Sequence, residues 1–292
     1  MTGPETQKAP AAAIVISSHV IRGAVGNRVV AFALEAMGHP VWAMPTVVLP
    51  WHPGQGPSSR MVFPDDAFDK AIDDLIGSKW TSEVRAVISG YFGSAAQAKS
   101  VARLVNALRS KNPDLIYLCD PVLGDDGGLY VPEATANAIR DHLMPIATMA
   151  TPNRFELSWL TGRTLETNND IIVAAETLGV SKMVVTSAYV MMADSVANLL
   201  LTDNKAILAE HRKIGSSHSG TGDLLASAFL ARIMDGVPED RALQLASSSV
   251  FEIIARSVKK GADGLLMAEE ADSLRNPMAM VQMRNLHRPK SL

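Results

Sequence analysis

The sequence predicts an α/β fold with helices on both faces of a mostly parallel central sheet. Two features carry that expectation. Short β-branched runs bounded by glycine or proline alternate with segments of helical spacing, strand then helix then strand. The runs are also apolar on both faces, as strands buried between two helix layers are. With 292 residues the chain can bury one large core, and no repeat, low-complexity tract or linker divides it. The expectation is one domain over 1–292, loosely ordered at about 1–11 and 281–292, where the composition turns polar or basic.

The elements follow in order. AIVISSHV (13–20), VWAMPTVVL (41–49), RAVISGYFG (85–93), LIYLCDPVLG (115–124), MATP (149–152) and KMVVTSAY (182–189) read as strands. The clearest helix lies in SAAQAKSVARLVNALRSKNP, with Val101, Leu104, Val105 and Leu108 on one stripe and Asn-Pro as its stop. ANLLLT and KAILAEH form a hairpin turned by Asp203-Asn204. Two long helices follow, over 223–235 and about 239–260, the second opened by Pro238-Glu239-Asp240 and stopped at Gly261.

Hydrophobic residues make up 47% and charged residues 20%, with a net charge of −3. That balance gives no electrostatic footprint for nucleic acid or a membrane surface. No apolar run approaches the roughly 20 residues of a membrane span, and the N-terminus does not read as a signal peptide. The lone cysteine, Cys119, sits among Leu115, Ile116 and Leu118 and reads as a buried structural thiol, which fits a cytoplasmic protein.

Ligands of open α/β sheets bind beyond the carboxyl ends of the strands. There the chain places Ser17-Ser18-His19, Thr46, Ser89-Gly90-Tyr91, Asp120-Pro121, Thr151-Pro152-Asn153 and Thr186-Ser187. The strongest candidate site is Gly220-Thr221-Gly222-Asp223, ahead of the apolar helix LLASAFLARIM. Two glycines let a ligand approach bare backbone, and the helix start offers unpaired N–H groups and partial positive charge, a setting for phosphate. The spacing is not that of a Walker loop. On its own Asp223 reads either as a helix N-cap or as a carboxylate facing a site. Ser219 and Thr221 are alternative caps, which makes a capping Asp223 redundant.

This turn is similar to the signature of the ribokinase-like sugar and vitamin kinases. SSHVIRGAVGN (17–27), ISGYFGS (88–94), YLCDPVLGDDGGLYVPE (117–133) and ATPNRFELSWLTGR (150–163) resemble the matching stretches of pyridoxal kinases, in order, over about residues 14–260. The resemblance implies a three-layer α/β/α ribokinase-like fold with a small substrate flap. It also implies transfer of the γ-phosphoryl of ATP to the 5′-hydroxyl of pyridoxal, and a homodimer. Asp223 would be the base, and backbone N–H groups from Gly220 through Thr221 to Gly222 would hold the transferring phosphoryl. Asp120 and Glu156 match acidic positions at the Mg2+-ATP end, acting through water, with a monovalent cation as a possible addition. Read without the family, Asp120 is a strand-end turn residue and Glu156 a first-turn helix acid. Thr186 and Ser187 match nucleotide contacts, with Thr151 also on that side. For the vitamin, Ser18 would meet the polar edge of the ring, Val25 and Tyr91 would wall it, Thr46 stands where the second strand enters the flap, and His52 matches a flap histidine. His19 serves equally well as a cap.

Three stretches depart from the family pattern. The flap VVLPWHPGQGPSSRMVF is rich in proline and glycine and carries Trp51 beside His52. Ser216-Ser217-His218-Ser219 replaces apolar residues before the glycine turn, with His218 touching phosphate or solvated. TSAYV replaces a more polar stretch. The competing expectations are a hydroxymethylpyrimidine or other ring-alcohol kinase of the same fold, and a non-catalytic vitamin B6 binding or sensor protein. Asp223, both glycines and both acidic positions oppose the latter, since a binder has no use for a base.

Overall fold

The alternating apolar runs join into one ten-stranded sheet in the computed structural model, which describes residues 11–215 and 218–288. The chain opens with β1 (Ala12–Val20), α1 (Asn27–Ala36), β2 (Val41–Leu49), the flap strand β3 (Met61–Val62) and α2 (Asp65–Gly77). It continues through β4 (Val84–Ser89), α3 (Ala95–Lys111), β5 (Ile116–Cys119), a small hairpin of β6 (Gly124–Asp125) and β7 (Gly128–Leu129), and α4 (Glu133–Ala138). Next come β8 (Met149–Ala150), α5 (Arg154–Thr161), α6 (Asn168–Thr177), β9 (Lys182–Ala188), β10 (Ser195–Thr202) and β11 (Ala206–Arg212). The last elements are α7 (Thr221–Met234), α8 (Glu239–Lys259), α9 (Asp272–Arg275) and β12 (Gln282–Asn285).

Across the sheet the order is β12-β11-β10-β9-β8-β5-β4-β1-β2-β3. The block from β9 to β2 is parallel, and the strands beyond it at either margin run antiparallel. Period-two alternation splits the strand residues between two cores. Ile14, Ile16, Val87 and Tyr117 face α2 to α6 through Phe68, Leu104, Leu157 and Ile171. Ala13, Val15, Ile88 and Val184 face α1, α7 and α8 through Val29, Leu34, Phe229 and Leu243. The helix α7 is buried from Leu224 to Arg232 on every side, as its apolar sequence requires. Cys119 is fully buried, and burial pushes its thiol up to about 12, so it packs as a small hydrophobe.

Two expectations need correction. The second-last long helix begins at Thr221 rather than Asp223, with Gly220 at its N-cap. The C-terminal stretch from 281 is not loose over its described length, because β12 pairs antiparallel with β11. Charge explains this better than hydropathy. Glu210 is fully buried, and its carboxylate accepts N–H groups from Met191 (2.7 Å) and Met192 (3.2 Å) while pairing with Arg284 Nε at 3.0 Å. Arg288 pairs with Glu176 at 2.6 Å and extends the attachment. The expected loose ends 1–10 and 289–292, and Ser216-Ser217, lie outside the described residues.

Glu210→Ala should therefore lower the unfolding free energy by about 2–3 kcal/mol, since it strands two N–H groups and Arg284. Urea denaturation measures the loss.

Candidate active site

Two glycines let the loop after β1 interlock with the start of α7. Gly26 has φ +55, and a Cβ there would stand 2.3 Å from the Ser18 carbonyl oxygen and 2.5 Å from its hydroxyl. Gly220 has φ +87, and a Cβ there would stand 2.1 Å from the Ala24 carbonyl oxygen. Only glycine supplies both the left-handed backbone and the missing atom. Closely packed in this way, the Gly26 N–H donates to Asp223 Oδ2 at 2.9 Å.

Asp223 is the third residue of α7, and no side chain caps that helix. The cap reading is thereby corrected: this carboxylate turns away from its own helix toward the loop after β1. Burial pushes its carboxyl up to about 6, while the Gly26 N–H pulls the other way.

Asp120 follows the end of β5 and is 8% exposed. Burial raises it well above the ordinary carboxylate range, and the negative charges of Glu156 and Asp223 raise it further. Thr151, whose buried hydroxyl makes no hydrogen bond in the structure, lies close enough to offset part of that rise. Glu156 forms a capping box with Asn153 at the head of α5. It also accepts the Leu123 N–H at 2.8 Å, and burial leaves its carboxyl at about 7 despite these donors. Val122 has φ +45, a rare conformation for a β-branched residue, and the turn it makes presents Leu123 and Gly124 to Glu156. The first-turn reading of Glu156 is therefore realised, and a water-bridged role is compatible with the lone pairs it keeps.

No lysine or arginine among the described residues pairs with Asp120, Glu156 or Asp223. The charges of Glu156 and Asp223 both act on Asp120, and a carboxyl set of this kind suits a divalent cation. Yet no group of three or more donors converges tightly enough among the described residues to cage one. That donor set fits magnesium holding several of its own waters.

A cavity of about 590 Å³ opens from the start of α7 and is lined by Thr186, Ser187, Thr221 and Gly222, with Val250 and Ile254 of α8 as an apolar wall. Ser187, like Val122, has a left-handed backbone, φ +55. His218, placed between phosphate and solvent by sequence, contacts the Ala262 carbonyl at 3.1 Å and also lines this cavity.

At the other end Val25 and Tyr91 share a small apolar cluster with Val20, Val47 and Leu49. Ser17 Oγ accepts the Tyr91 N–H at 3.1 Å. Arg60 of the flap lays its guanidinium 5.4 Å from the Tyr91 ring centre. Thr46 stands behind this wall. It is fully buried and donates its hydroxyl to the Tyr91 carbonyl at 2.6 Å, so it braces the wall and keeps acceptor lone pairs for a ligand. His52 Nδ1 accepts the Gly54 N–H at 3.1 Å and stands 3.3 Å from the Ser219 hydroxyl, joining flap to glycine turn. A second cavity, about 700 Å³, lies between the flap and residues 262–269 and includes Val25 and His52; Ser18, Thr46 and Tyr91 line neither cavity. The sequence reading missed Gly26, Arg60 and Val122. Of these only Gly26 had a local signal, as a glycine directly before the start of α1.

The family model for phosphomethylpyrimidine kinase matches residues 64–267. The chain is 36% identical to the pyridoxine/pyridoxal/pyridoxamine kinase of Bordetella bronchiseptica over 265 residues, covering 89% of this chain and 94% of the relative. It is 32% identical to the pyridoxal kinase of Arabidopsis thaliana, covering 83% and 81%. Among solved structures it is similar to pyridoxal kinase from Leishmania donovani in complex with ADP and pyridoxamine, with a TM-score of 0.89 at 26% identity, covering 95% of this chain and 100% of that one.

Gly26→Ala and Gly220→Ala should each cost about 1–3 kcal/mol of folding stability through forced backbone and close contact. Gly222→Ala should cost almost nothing, because a Cβ there meets no atom within 4 Å. Urea denaturation of the three variants compares them directly.

Proposed function

Because the chain belongs to the phosphomethylpyrimidine kinase family, with pyridoxal kinases as relatives over most of its length, we propose that it is a pyridoxal kinase. It would transfer the γ-phosphoryl of ATP to the 5′-hydroxyl of pyridoxal, giving pyridoxal 5′-phosphate. The observation that carries this reading is the position of Asp223. Its carboxylate touches the loop behind Ser18 through Gly26, yet belongs to the first turn of the helix whose start opens into the 590 Å³ cavity.

In this reading the ring rests against Val25 and Tyr91, with Ser18 at its polar edge, and the flap closes over it through Arg60 and His52. The 5′-hydroxyl points at Asp223. As the hydroxyl oxygen attacks the γ-phosphorus, its proton passes to the Asp223 carboxylate and the bond to the β,γ-bridging oxygen breaks, leaving ADP. The N–H groups at the start of α7, at Thr221 and Gly222, have no partner within the helix and face the charge on the phosphoryl oxygens. Positioning does most of the work, because a carboxylate is a far weaker base than an alkoxide. Magnesium, when bound, neutralises phosphate charge; Asp120, with Glu156 and the Thr151 hydroxyl beside it, would hold it through water. Thr186 and Ser187 line the nucleotide side. A cytoplasmic homodimer completes the reading, supported by the family and by the single buried thiol.

Assays with pyridoxal, pyridoxine, pyridoxamine and hydroxymethylpyrimidine side by side test the acceptor; turnover of the pyrimidine alone would overturn pyridoxal as substrate. Asp223→Asn should lower kcat by about 10²–10⁴ while ADP affinity stays within about threefold. In the wild type, kcat/KM should fall as pH drops through about 6, because the base must be ionised. A variant working at wild-type speed would remove Asp223 from the base role.

A further inference from the structure

The far end of the 590 Å³ cavity holds a histidine that neither the sequence reading nor the mechanism uses. His211 lies on β11 opposite Val196 of β10, and Asn198, two residues on, lies opposite Thr186 of β9. Paired residues share a face and i, i+2 residues keep it, so Thr186, Asn198, Val196 and His211 form one continuous strip. All four line the cavity, and the strip runs from the nucleotide-side Thr186 outward to His211. Leu225 of α7 and Val250 and Ile254 of α8 cover it with apolar surface. Thr221 and Gly222 bring unpaired N–H groups to the same cavity. It therefore has one end suited to phosphate and one suited to a flat heteroaromatic ring.

The chemistry of the imidazole is fixed by its surroundings. His211 is 7% exposed and packs against the Phe251 ring, with centroids 5.2 Å apart. Nδ1 lies 3.0 Å from the Arg212 carbonyl oxygen. A carbonyl can only accept, so Nδ1 carries the hydrogen. Burial lowers the tendency of the ring to take a second proton, which keeps it neutral near pH 7. Nε2 is then a bare acceptor. It makes no hydrogen bond among the described residues and is not sealed in the packing, and the residue lines the cavity, so Nε2 is available to a ligand there.

Resting on the kinase reading, we propose that His211 reads the nucleotide base, with Nε2 accepting a hydrogen bond from the exocyclic amino group of adenine. A purine with a carbonyl at that position sets lone pair against lone pair and leaves both acceptors unpaired. His211 is then a determinant of adenine over hypoxanthine, and the phosphate end plays no part in that choice.

Calorimetric titration with ADP and with inosine diphosphate, which exchanges the amino group for a carbonyl, tests this without any turnover. The wild type should bind ADP about tenfold more tightly. His211→Phe, which keeps a ring against Phe251 but has no acceptor, should lose about tenfold for ADP and bring the two affinities together. His211→Gln, whose amide can accept from the amino group or flip to donate to the carbonyl, should keep ADP affinity near the wild type while narrowing the preference. Equal binding of the two nucleotides by the wild type, or an undiminished preference in a folded His211→Phe protein, overturns the assignment and leaves the kinase reading standing. Failure of the wild type to bind ADP at all overturns both. The wild-type comparison needs no variant, so it decides the matter even if His211→Phe does not fold.

Discussion

Asp120, Glu156 and Asp223 gather their carboxyls in one buried corner, and no lysine or arginine among the described residues balances them. Much of the surrounding structure is arranged around that repulsion. Backbone N–H groups supply the compensation that side-chain cations do not: Gly26 serves Asp223, while Asn153, Leu123 and Gly124 serve Glu156. Two of these arrangements rest on unusual backbone, φ +55 at Gly26 itself and φ +45 at Val122 ahead of Leu123 and Gly124, whereas Asn153 has ordinary N-cap geometry. The compensation is incomplete, since burial still raises all three carboxyls. Their protonation favours the folded chain, an advantage complete below the ordinary carboxylate range and lost as pH rises through about 6 for Asp223 and about 7 for Glu156. At neutral pH the apoprotein thus carries a corner under electrostatic tension, and a hydrated divalent cation would relieve it.

The sheet order explains why the two ends of the proposed reaction meet at that corner. From β1 the chain moves to β2 on one side and later returns to β4 on the other, which leaves a switch point between β1 and β4. Ser17-Ser18 lie in the second half of β1, and Gly90-Tyr91 directly follow β4. A Cβ on Gly90 would stand 2.6 Å from Ser17 Oγ, so the strand ends are packed together and Tyr91 is held upright beside Val25. The 590 Å³ cavity lies farther along, over β9 to β11, where antiparallel pairing turns Thr186, Asn198 and His211 to the α7 and α8 face. The start of α7 bridges the two regions, and Asp223 sits in that bridge.

Local features were readable from the sequence. Strand runs, the stripe on α3, the hairpin at Asp203-Asn204 and the glycine turn all depend on neighbours within a few residues, and each appears with small shifts in its boundaries. Contacts between distant positions were not readable. Gly26 and Asp223 are 197 residues apart, so nothing near Asp223 showed that its partner would be a backbone N–H from the loop before α1. The same limit hid β12: its tail reads as basic and loose until Glu210, 74 residues earlier, gives Arg284 a buried carboxylate. The hydrogen bond from Thr46 to the Tyr91 carbonyl was hidden in the same way, because 45 residues separate the two. The resemblance to kinases brought together residues that pattern alone left scattered, but it carried no information on which of them would be structural.

The tension at Asp223 also bears on the proposed reaction, in which it is the base. A carboxylate in its ordinary range would be fully ionised at neutral pH but a poor proton acceptor. Burial to about 6 makes it a stronger base by about two pK units, near 3 kcal/mol of proton affinity, while roughly nine in ten molecules stay ionised at pH 7. Raising it above the working pH would cost more in ionised fraction than it returns in base strength. The Gly26 hydrogen bond acts against that overshoot, because it favours the charged form and burial favours the neutral one. The same N–H fixes the carboxylate on the side facing the Ser18 loop, where an acceptor hydroxyl would arrive. One glycine therefore sets both the strength of the base and its direction, and its missing side chain is what lets the loop come close enough to do so.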